Sequence, residues 1–440
     1  MDTEARERAP ISLSDAYKFF VPLMLMAELM MISHAVVTAF LARMPEPQAV
    51  LAAYSVSFYT HAVLGSPVWA LQIIVLSYIR DRASVHKLAR FGVILVLLVS
   101  AAQLVLGLTP VGDWFFGDLF GTRPAVATEA KLCMVVSILV LPASILRSLS
   151  YGLMMINRRT ILVTMGTVVR MLGLAAILML LTRNFHGAVV GVVALAGCII
   201  IETVYAVTLG ARFYRRLERH TAPLPSYREL WQFSWPIMLM QTAESGMAFS
   251  VNFFLGRLPR PELALAAFGV LDSLMRVLLS PLRNLVHTSQ TLVRSRADAR
   301  VLLVFALHMG LAFGALLLAL EIPTVQRIVL FDIMGLTPTI ADYIMPALRI
   351  GVLLAIAMAA AGVFRGLLIA SKHTGFIAIS SGLRIAAVAV VGVVGLLLGV
   401  ENGANLGMLA LIAAFATEAA LLAGRLRRLD RRNARLFEGG

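Results

Sequence analysis

The chain has 440 residues, of which 60% are hydrophobic and 14% charged, with a formal net charge of +14. A soluble domain has about half apolar and a quarter charged residues, so this composition excludes a protein whose only solvent is water. Nucleic-acid binding is not expected either, because the basic residues fall in alternate connections between apolar runs and form no continuous basic surface. The two cysteines, Cys133 and Cys198, lie in apolar stretches and have neither disulfide nor metal-ligand spacing.

The apolar runs predict twelve membrane spans, since each crossing of a bilayer core of about 30 Å needs roughly 20 apolar residues. The first six are expected near residues 17 to 42, 49 to 79, 90 to 109, 130 to 155, 160 to 182 and 187 to 211. The other six are expected near 230 to 256, 262 to 292, 300 to 320, 340 to 370, 375 to 399 and 404 to 425. The predicted fold class is an all-α polytopic membrane protein.

The connections after the even-numbered spans carry the arginines and lysines, which predicts that both termini are cytoplasmic. The N-terminus has no pattern of a removed signal peptide, and we expect a multi-pass protein of the bacterial inner membrane. The predicted domains are an N-terminal six-helix bundle at 1–212, a cytoplasmic linker at 213–229 and a C-terminal six-helix bundle at 230–440.

An internal repeat joins the two halves. A shift of 214 positions lays Phe19 to Ala83 on Phe233 to Ala297 without a gap, so that FLARMPEPQAVLAAYSV meets FLGRLPRPELALAAFGV. The same shift pairs Arg170 with Arg384, and a two-residue slip pairs Glu202 with Glu418. Because six helices is an even number, the two copies enter the membrane from the same side and are related by a pseudo-two-fold axis along its normal.

Prolines recur at the same offset inside the predicted spans: Pro22 with Pro236, and Pro67 with Pro281. A proline removes a backbone hydrogen bond and permits a kink. Paired kinks would suit two bundles that open alternately to each side of the membrane. The alternative is that these prolines only shape static packing.

Seven arginines lie within the predicted spans and are candidate ligands for a substrate. An ionised side chain in the bilayer usually faces a partner or a water-filled cavity. A cavity with several guanidinium groups would bind phosphate or carboxylate, so a small anionic solute is the natural partner. The alternative for each is an internal salt bridge, for example with Glu202 or Glu418, or snorkelling to the interface. The candidates are Arg147, Arg170, Arg276, Arg283, Arg349, Arg365 and Arg384.

Acidic and imidazole groups in the first two spans of each half are candidate sites for a coupling ion, either H⁺ or Na⁺. They are Glu28, His34, His61, Glu244 and Asp272, with His287 as a further titratable group. The alternative for a histidine on an apolar helix is hydrogen-bonded packing. Glu28 and Glu244 are not repeat partners, because Glu28 falls opposite Thr242.

Several segments resemble the progressive ankylosis family: FSWPIMLM, VNFFLGRL at 251–258, PALRI at 346–350 and SSGLRIAAV at 380–388. That family is similar to the multidrug and toxin extrusion transporters and the lipid-linked oligosaccharide flippases. The resemblance implies a two-bundle exporter fold and, for the animal members, release of pyrophosphate, citrate or ATP. Arg349, Arg384 and Glu418 fall where the family also has Arg or Glu, whereas the first span departs from the family's acidic pattern.

The sequence therefore favours a secondary active transporter that exports a small anionic solute by alternating access, without a cofactor and as a monomer. A drug/cation antiporter using Glu28 and Glu244 and a lipid-linked oligosaccharide flippase are alternatives of the same fold. A major-facilitator transporter also has six plus six helices, but the loop RDRASVHKLAR lacks its Gly-led signature. An enzyme is not expected, because no nucleophile, acid and base stand out together, and the short connections disfavour a receptor or scaffold.

Overall fold

The computed structural model describes residues 11–157, 159–181, 184–219, 224–371 and 375–432. This part of the chain forms twelve long helical segments and confirms the predicted polytopic all-α membrane fold. The first six are α1 (Leu13–Leu41), α2 (Pro47–Trp69 with Leu71–Tyr78), α3 (Arg82–Leu108), α4 (Pro124–Ser137 with Val140–Ile156), α5 (Thr160–Leu181) and α6 (Ala188–Arg216). The other six are α7 (Tyr227–Leu255), α8 (Pro261–Leu279, Ser280–Asn284 and Leu285–Leu292), α9 (Arg296–Leu318), α10 (Pro338–Ala370), α11 (Gly375–Leu397) and α12 (Gly403–Arg432).

Length and apolar composition explain why these helices cross a membrane. Over the described residues, ten of the segments are long and apolar enough to span it, and α1 adds the shorter apolar stretch Ile32–Leu41. The less apolar α7 carries Gln241, Glu244 and Asn252 in its interior. The chain is thus a multi-pass membrane protein. Because twelve is even, the start of α1 and the end of α12 lie on the same side, here called the terminal face; the other side is called the opposite face.

Local signals start equivalent helices at equivalent places in the two halves. Prolines occupy the first turn of α2, α4, α8 and α10, where a missing N–H costs nothing. Ser12 with Asp15 and Ser226 with Glu229 form capping boxes that begin α1 and α7, and the two serines are 214 positions apart. The duplication seen in the sequence therefore recurs in the backbone.

We call helices α1–α6 the N-bundle and helices α7–α12 the C-bundle, and helices within each group contact one another. Between the bundles, α2 packs against α7 and α8, and α1 packs against α8. Both α2 and α8 are interrupted near their paired prolines: α2 breaks after Trp69, two residues beyond Pro67, and α8 becomes a 3₁₀ helix at Ser280–Asn284, which contains Pro281. Helices α1 and α7 continue unbroken through Pro22 and Pro236.

Candidate functional site

In the N-bundle, a buried carboxylate on α6 holds three donors. Glu202, 2% exposed, accepts a bond from Arg147 Nη1 at 2.6 Å and from the hydroxyl of Tyr151 at 2.9 Å. Arg170 Nη1 lies 3.7 Å from the same carboxylate. Gly166 makes room for Tyr151, because a Cβ at position 166 would lie 2.0 Å from its hydroxyl oxygen. Two of the predicted substrate ligands, Arg147 and Arg170, are engaged within this cluster, although Nε and Nη2 of Arg170 have no hydrogen-bond partner among the described residues.

The C-bundle repeats this cluster with two substitutions, since Ala361 stands at the repeat position of Arg147 and Arg365 at that of Tyr151. Glu418, fully buried on α12, accepts a bond from Arg365 Nη2 at 2.6 Å, and Arg384 Nε lies 3.5 Å from its other oxygen. Arg384 occupies the position of Arg170, whereas Arg365 occupies the position of Tyr151. Each buried carboxylate therefore meets two guanidinium groups, but one of the two comes from a different repeat position in each bundle.

A further carboxylate, Glu244 on α7, joins the C-bundle cluster. It accepts a bond from Arg384 Nη2 at 2.6 Å and lies 3.4 Å from Arg283 Nη2 on α8. The repeat partner of Glu244 is Met30, so the N-bundle has no carboxylate at the equivalent position. Three guanidinium groups thus meet two carboxylates in the C-bundle cluster, which leaves one positive charge over.

Beside this cluster lies a cavity of about 290 Å³ in the half of the C-bundle nearest the terminal face. Its charged lining is Glu244, Arg283, Arg365 and Arg384, together with His287 and the uncharged polar side chains Gln241 and Ser381. Arg384 is 1% exposed, yet its Nε and Nη1 have no hydrogen-bond partner among the described residues. Buried guanidinium donors without partners favour a ligand that supplies oxygen atoms.

A second polar group lies in the seam between the bundles. The hydroxyl of Tyr59 on α2 donates to Asp272 Oδ2 on α8 at 2.5 Å, and Arg276 Nε donates to the same oxygen at 2.5 Å. His34 lies nearby on α1, where its Nδ1 is 3.3 Å from the hydroxyl of Tyr54. Asp272, Arg276 and His34 are therefore brought together, but apart from the main cavity.

Two further predicted site residues, Arg349 and His61, lie away from the main cavity. Arg349 is 64% exposed and forms a bidentate pair with Glu321, at 2.9 Å for both bonds, so its charge is used at the rim of α9 and α10. His61 is buried in the N-bundle, where its Nδ1 lies 2.8 Å from Gln103 Nε2, which fits a packing role. The side chain of Glu28 lies outside the described residues.

Each of the seven predicted arginines has a carboxylate within 4 Å. In this conformation every one of them therefore has the internal salt-bridge partner that the alternative interpretation predicts. What sets Arg283, Arg365 and Arg384 apart is the cavity that they line, because the excess of one guanidinium over the carboxylates is the same in both clusters.

On the opposite face, two repeat-related arginines join the bundles. Arg43, after α1, donates Nη2 to the carbonyls of Asp332 and Ile333 at 2.6 Å each. Arg257, after α7, donates Nη1 to the carbonyl of Leu119 at 3.0 Å. Each arginine thus crosses to the last residues of a short π-helix of the other half, Arg327–Ile333 or Trp114–Leu119. The bundles are in close contact on this face.

Glycines and an ion pair tighten the same contact. Gly121 has a φ of +64°, and a Cβ there would lie 2.0 Å from the carbonyl oxygen of Gly256. Arg123 Nε pairs with Glu262 at 2.7 Å across the bundles. The repeat alignment had already placed Arg43 on Arg257, so this contact had a sequence signal that our interpretation did not use.

Comparisons with solved structures show the fold. A multidrug resistance MATE family transporter of the MOP superfamily, in an inward-facing conformation, has a TM-score of 0.71 at 14% identity, covering 96% of this chain and 99% of that one. An outward-facing structure of such a transporter gives 0.56 at 14% identity, covering 95% and 97%. A MOP superfamily transporter from Pyrococcus furiosus, described as having a binding pocket of reverse polarity, gives 0.61 at 13% identity, covering 96% and 97%.

No protein-family model matches the sequence, and no curated protein matches it. The solved structures therefore establish a MATE-like fold. Their sequence identities to this chain are too low to indicate which substrate it binds.

Proposed function

We propose that this protein is a secondary active transporter that exports a small anionic solute by alternating access. The observation that carries the proposal is the C-bundle cavity, where Arg384 keeps two buried guanidinium nitrogens without a hydrogen-bond partner among the described residues. A phosphate or carboxylate would satisfy those donors and neutralise the excess positive charge. Pyrophosphate, citrate or another di- or tricarboxylate, and nucleotide-like anions are the candidate solutes.

The arrangement of the two faces supports alternating access. The bundles are joined on the opposite face by Arg43, Arg257 and the pair of Arg123 with Glu262, while the cavity lies towards the terminal face. Better overlap with an inward-facing than with an outward-facing MATE structure fits this arrangement. We propose that the terminal face is cytoplasmic in a bacterial inner membrane, because the basic connections lie there.

The Pyrococcus furiosus transporter is described as having a binding pocket of reverse polarity that suggests a different function, so transporters of this fold differ in the polarity of their pockets. The resemblance to the progressive ankylosis family supports an anionic solute. A drug/cation antiporter would need a carboxylate free to meet the cation, but Glu244 is engaged by two arginines. A lipid-linked oligosaccharide flippase would need far more room than about 290 Å³.

The test is efflux from proteoliposomes loaded with radiolabelled pyrophosphate, citrate or an organic cation, with and without a proton gradient. We expect efflux of an anion, and we expect Arg384→Gln to reduce it at least about tenfold, because a charge-assisted pair in the site is lost. Arg349→Gln is the matched control, since it removes an arginine paired with a carboxylate outside the cavity.

Cation efflux without anion efflux would favour the antiporter. Equal anion efflux by wild type and Arg384→Gln, with both proteins folded by size-exclusion chromatography, would overturn the assignment of the cavity as the anion site.

A further inference from the structure

Helix α8 carries three charged residues in a row that runs from the main cavity towards the opposite face: Arg283, Arg276 and Asp272. Helix α8 starts at the opposite face and ends at the terminal face, and Arg283 belongs to the main cavity. Arg276 lies seven residues earlier and Asp272 four residues before that, which places them on the same side of the helix. Arg276 is therefore about 10 Å further across the membrane than Arg283.

Smaller cavities connect these residues. A cavity of about 50 Å³ shares Glu244, Arg283, Met358 and Phe415 with the main cavity and is also lined by Asp272 and Arg276. A third, of about 10 Å³, lies between Asp272 and Arg276 on one side and residues of the N-bundle, including His34, Tyr54 and Tyr59, on the other. Successive cavities share lining side chains, so they form a line from the main cavity to the seam between the bundles.

We propose that Arg276 is a second oxyanion subsite, reached from the main cavity and held by Asp272 until the bundles separate. The proposal rests on the proposed function. Asp272 engages only Nε of Arg276, which leaves the two Nη nitrogens without a hydrogen bond to the described part of the protein. A phosphate or carboxylate oxygen arriving from Arg283 would meet these donors next.

Tyr59, a residue of the N-bundle, keeps this subsite closed. Its hydroxyl donates to the same Asp272 oxygen that Arg276 holds, and the bond joins α2 of one bundle to α8 of the other. When the bundles part at the opposite face, Asp272 loses this donor, and its hold on Arg276 weakens because it is then more exposed to water. The anion and Asp272 would then compete for one guanidinium.

The first experiment separates binding from transport. Equilibrium binding and efflux of radiolabelled pyrophosphate and citrate are measured for wild type, Arg276→Gln, Arg276→Lys and Arg384→Gln. We expect Arg276→Gln to bind within about twofold of wild type and to transport at least about tenfold more slowly, because the second subsite is lost while the first remains. Arg276→Lys should recover much of the rate, since it keeps the charge.

Each outcome decides a different point. Transport by Arg276→Gln at the wild-type rate overturns the second subsite and leaves the main cavity as the anion site. Loss of binding by Arg276→Gln as large as that of Arg384→Gln makes Arg276 part of the first site and also overturns the proposal. Absence of anion binding and transport in wild type overturns the proposed function itself.

The second experiment tests whether Tyr59 keeps the seam between the bundles closed, by measuring how fast a cysteine in the seam is labelled. Ser273, which lines the third cavity, is changed by Ser273→Cys in a background with Cys133→Ala and Cys198→Ala. Its reaction with a membrane-impermeant maleimide from the opposite face reports opening of the seam. We expect Tyr59→Phe to raise the labelling rate about tenfold, because a hydrogen bond to a charged group is lost.

Tyr54→Phe is the matched control, since Tyr54 lies on the same helix and bonds His34 rather than Asp272. Equal labelling of Tyr59→Phe and Tyr54→Phe would overturn the closing role of Tyr59.

Discussion

The two buried charge clusters occupy equivalent places in the two bundles but differ in what surrounds them. In the N-bundle, Glu202 collects Arg147, Arg170 and Tyr151 in a packed interior. In the C-bundle, the equivalent Glu418 meets two arginines beside a cavity, and Glu244 is added from α7. The comparison teaches that a duplicated structural cluster becomes a candidate binding site when its arginines change position and a cavity opens beside them.

The largest expected effect concerns stability in the N-bundle. Glu202→Gln leaves Arg147 and Arg170 buried without their carboxylate, so we expect a loss of about 3 kcal/mol in the free energy of unfolding. Glu418→Gln should cost less, because Arg384 keeps Glu244 as a partner. Denaturation of both variants in detergent measures the difference. A loss for Glu418→Gln equal to or larger than that for Glu202→Gln would contradict the structural role of the N-bundle cluster.

The next effect follows from removing the excess positive charge of the C-bundle cluster. Arg365→Tyr puts the residue of position 151 at the equivalent position and removes the excess positive charge from the cluster. We expect anion affinity to fall at least about tenfold, because one unit charge within several ångströms of the ligand is lost. Equilibrium binding of labelled citrate or pyrophosphate measures it.

Tyr151→Phe is the counterpart in the other bundle, since it removes only the hydroxyl bonded to Glu202. We expect its anion affinity to match that of wild type. A similar drop in both variants would mean that the two clusters act on the anion together.

A smaller effect concerns the opposite face. Arg43 makes two carbonyl bonds across the bundles and Arg257 makes one, so Arg43→Gln should weaken the closed state more than Arg257→Gln. We expect maleimide labelling of the Ser273→Cys reporter to rise about fivefold for Arg43→Gln, since bonds to a charged donor are lost. Unchanged labelling in both variants would show that the apolar contacts alone keep this face closed.

Much of the fold could be predicted from the sequence, because long apolar runs and coincident prolines are direct consequences of the membrane and of the duplication. Equivalent helices start as the 214-residue shift implies, at Pro47 and Pro261 and at Pro124 and Pro338. The predicted salt-bridge partners Glu202 and Glu418 do contact the predicted arginines.

The partners of the site could not be predicted in the same way. Glu244 and Arg384 are 140 residues apart, and their contact depends on how α7 packs against α11. On a helix that is apolar all round, hydrophobic periodicity does not reveal which side faces the cavity. Tyr59 and Tyr151 were missed for a related reason: a tyrosine in a span has an apolar body, and only its bonding partner reveals the role of its hydroxyl.

The smallest expected effect is that of replacing Arg349, which tests whether an arginine outside the C-bundle cavity contributes to transport. Helix α10 has 33 residues and is about 50 Å long, so it exceeds a bilayer core of about 30 Å. Arg349 is the twelfth residue of this helix and pairs with Glu321, and because the arginine is 64% exposed we expect the pair to contribute little to stability. We therefore expect Arg349→Gln to leave both thermal stability and anion efflux close to wild type. A loss of efflux comparable to that of Arg384→Gln would mean that the anion also meets Arg349, and that the path extends beyond the C-bundle cavity to this residue.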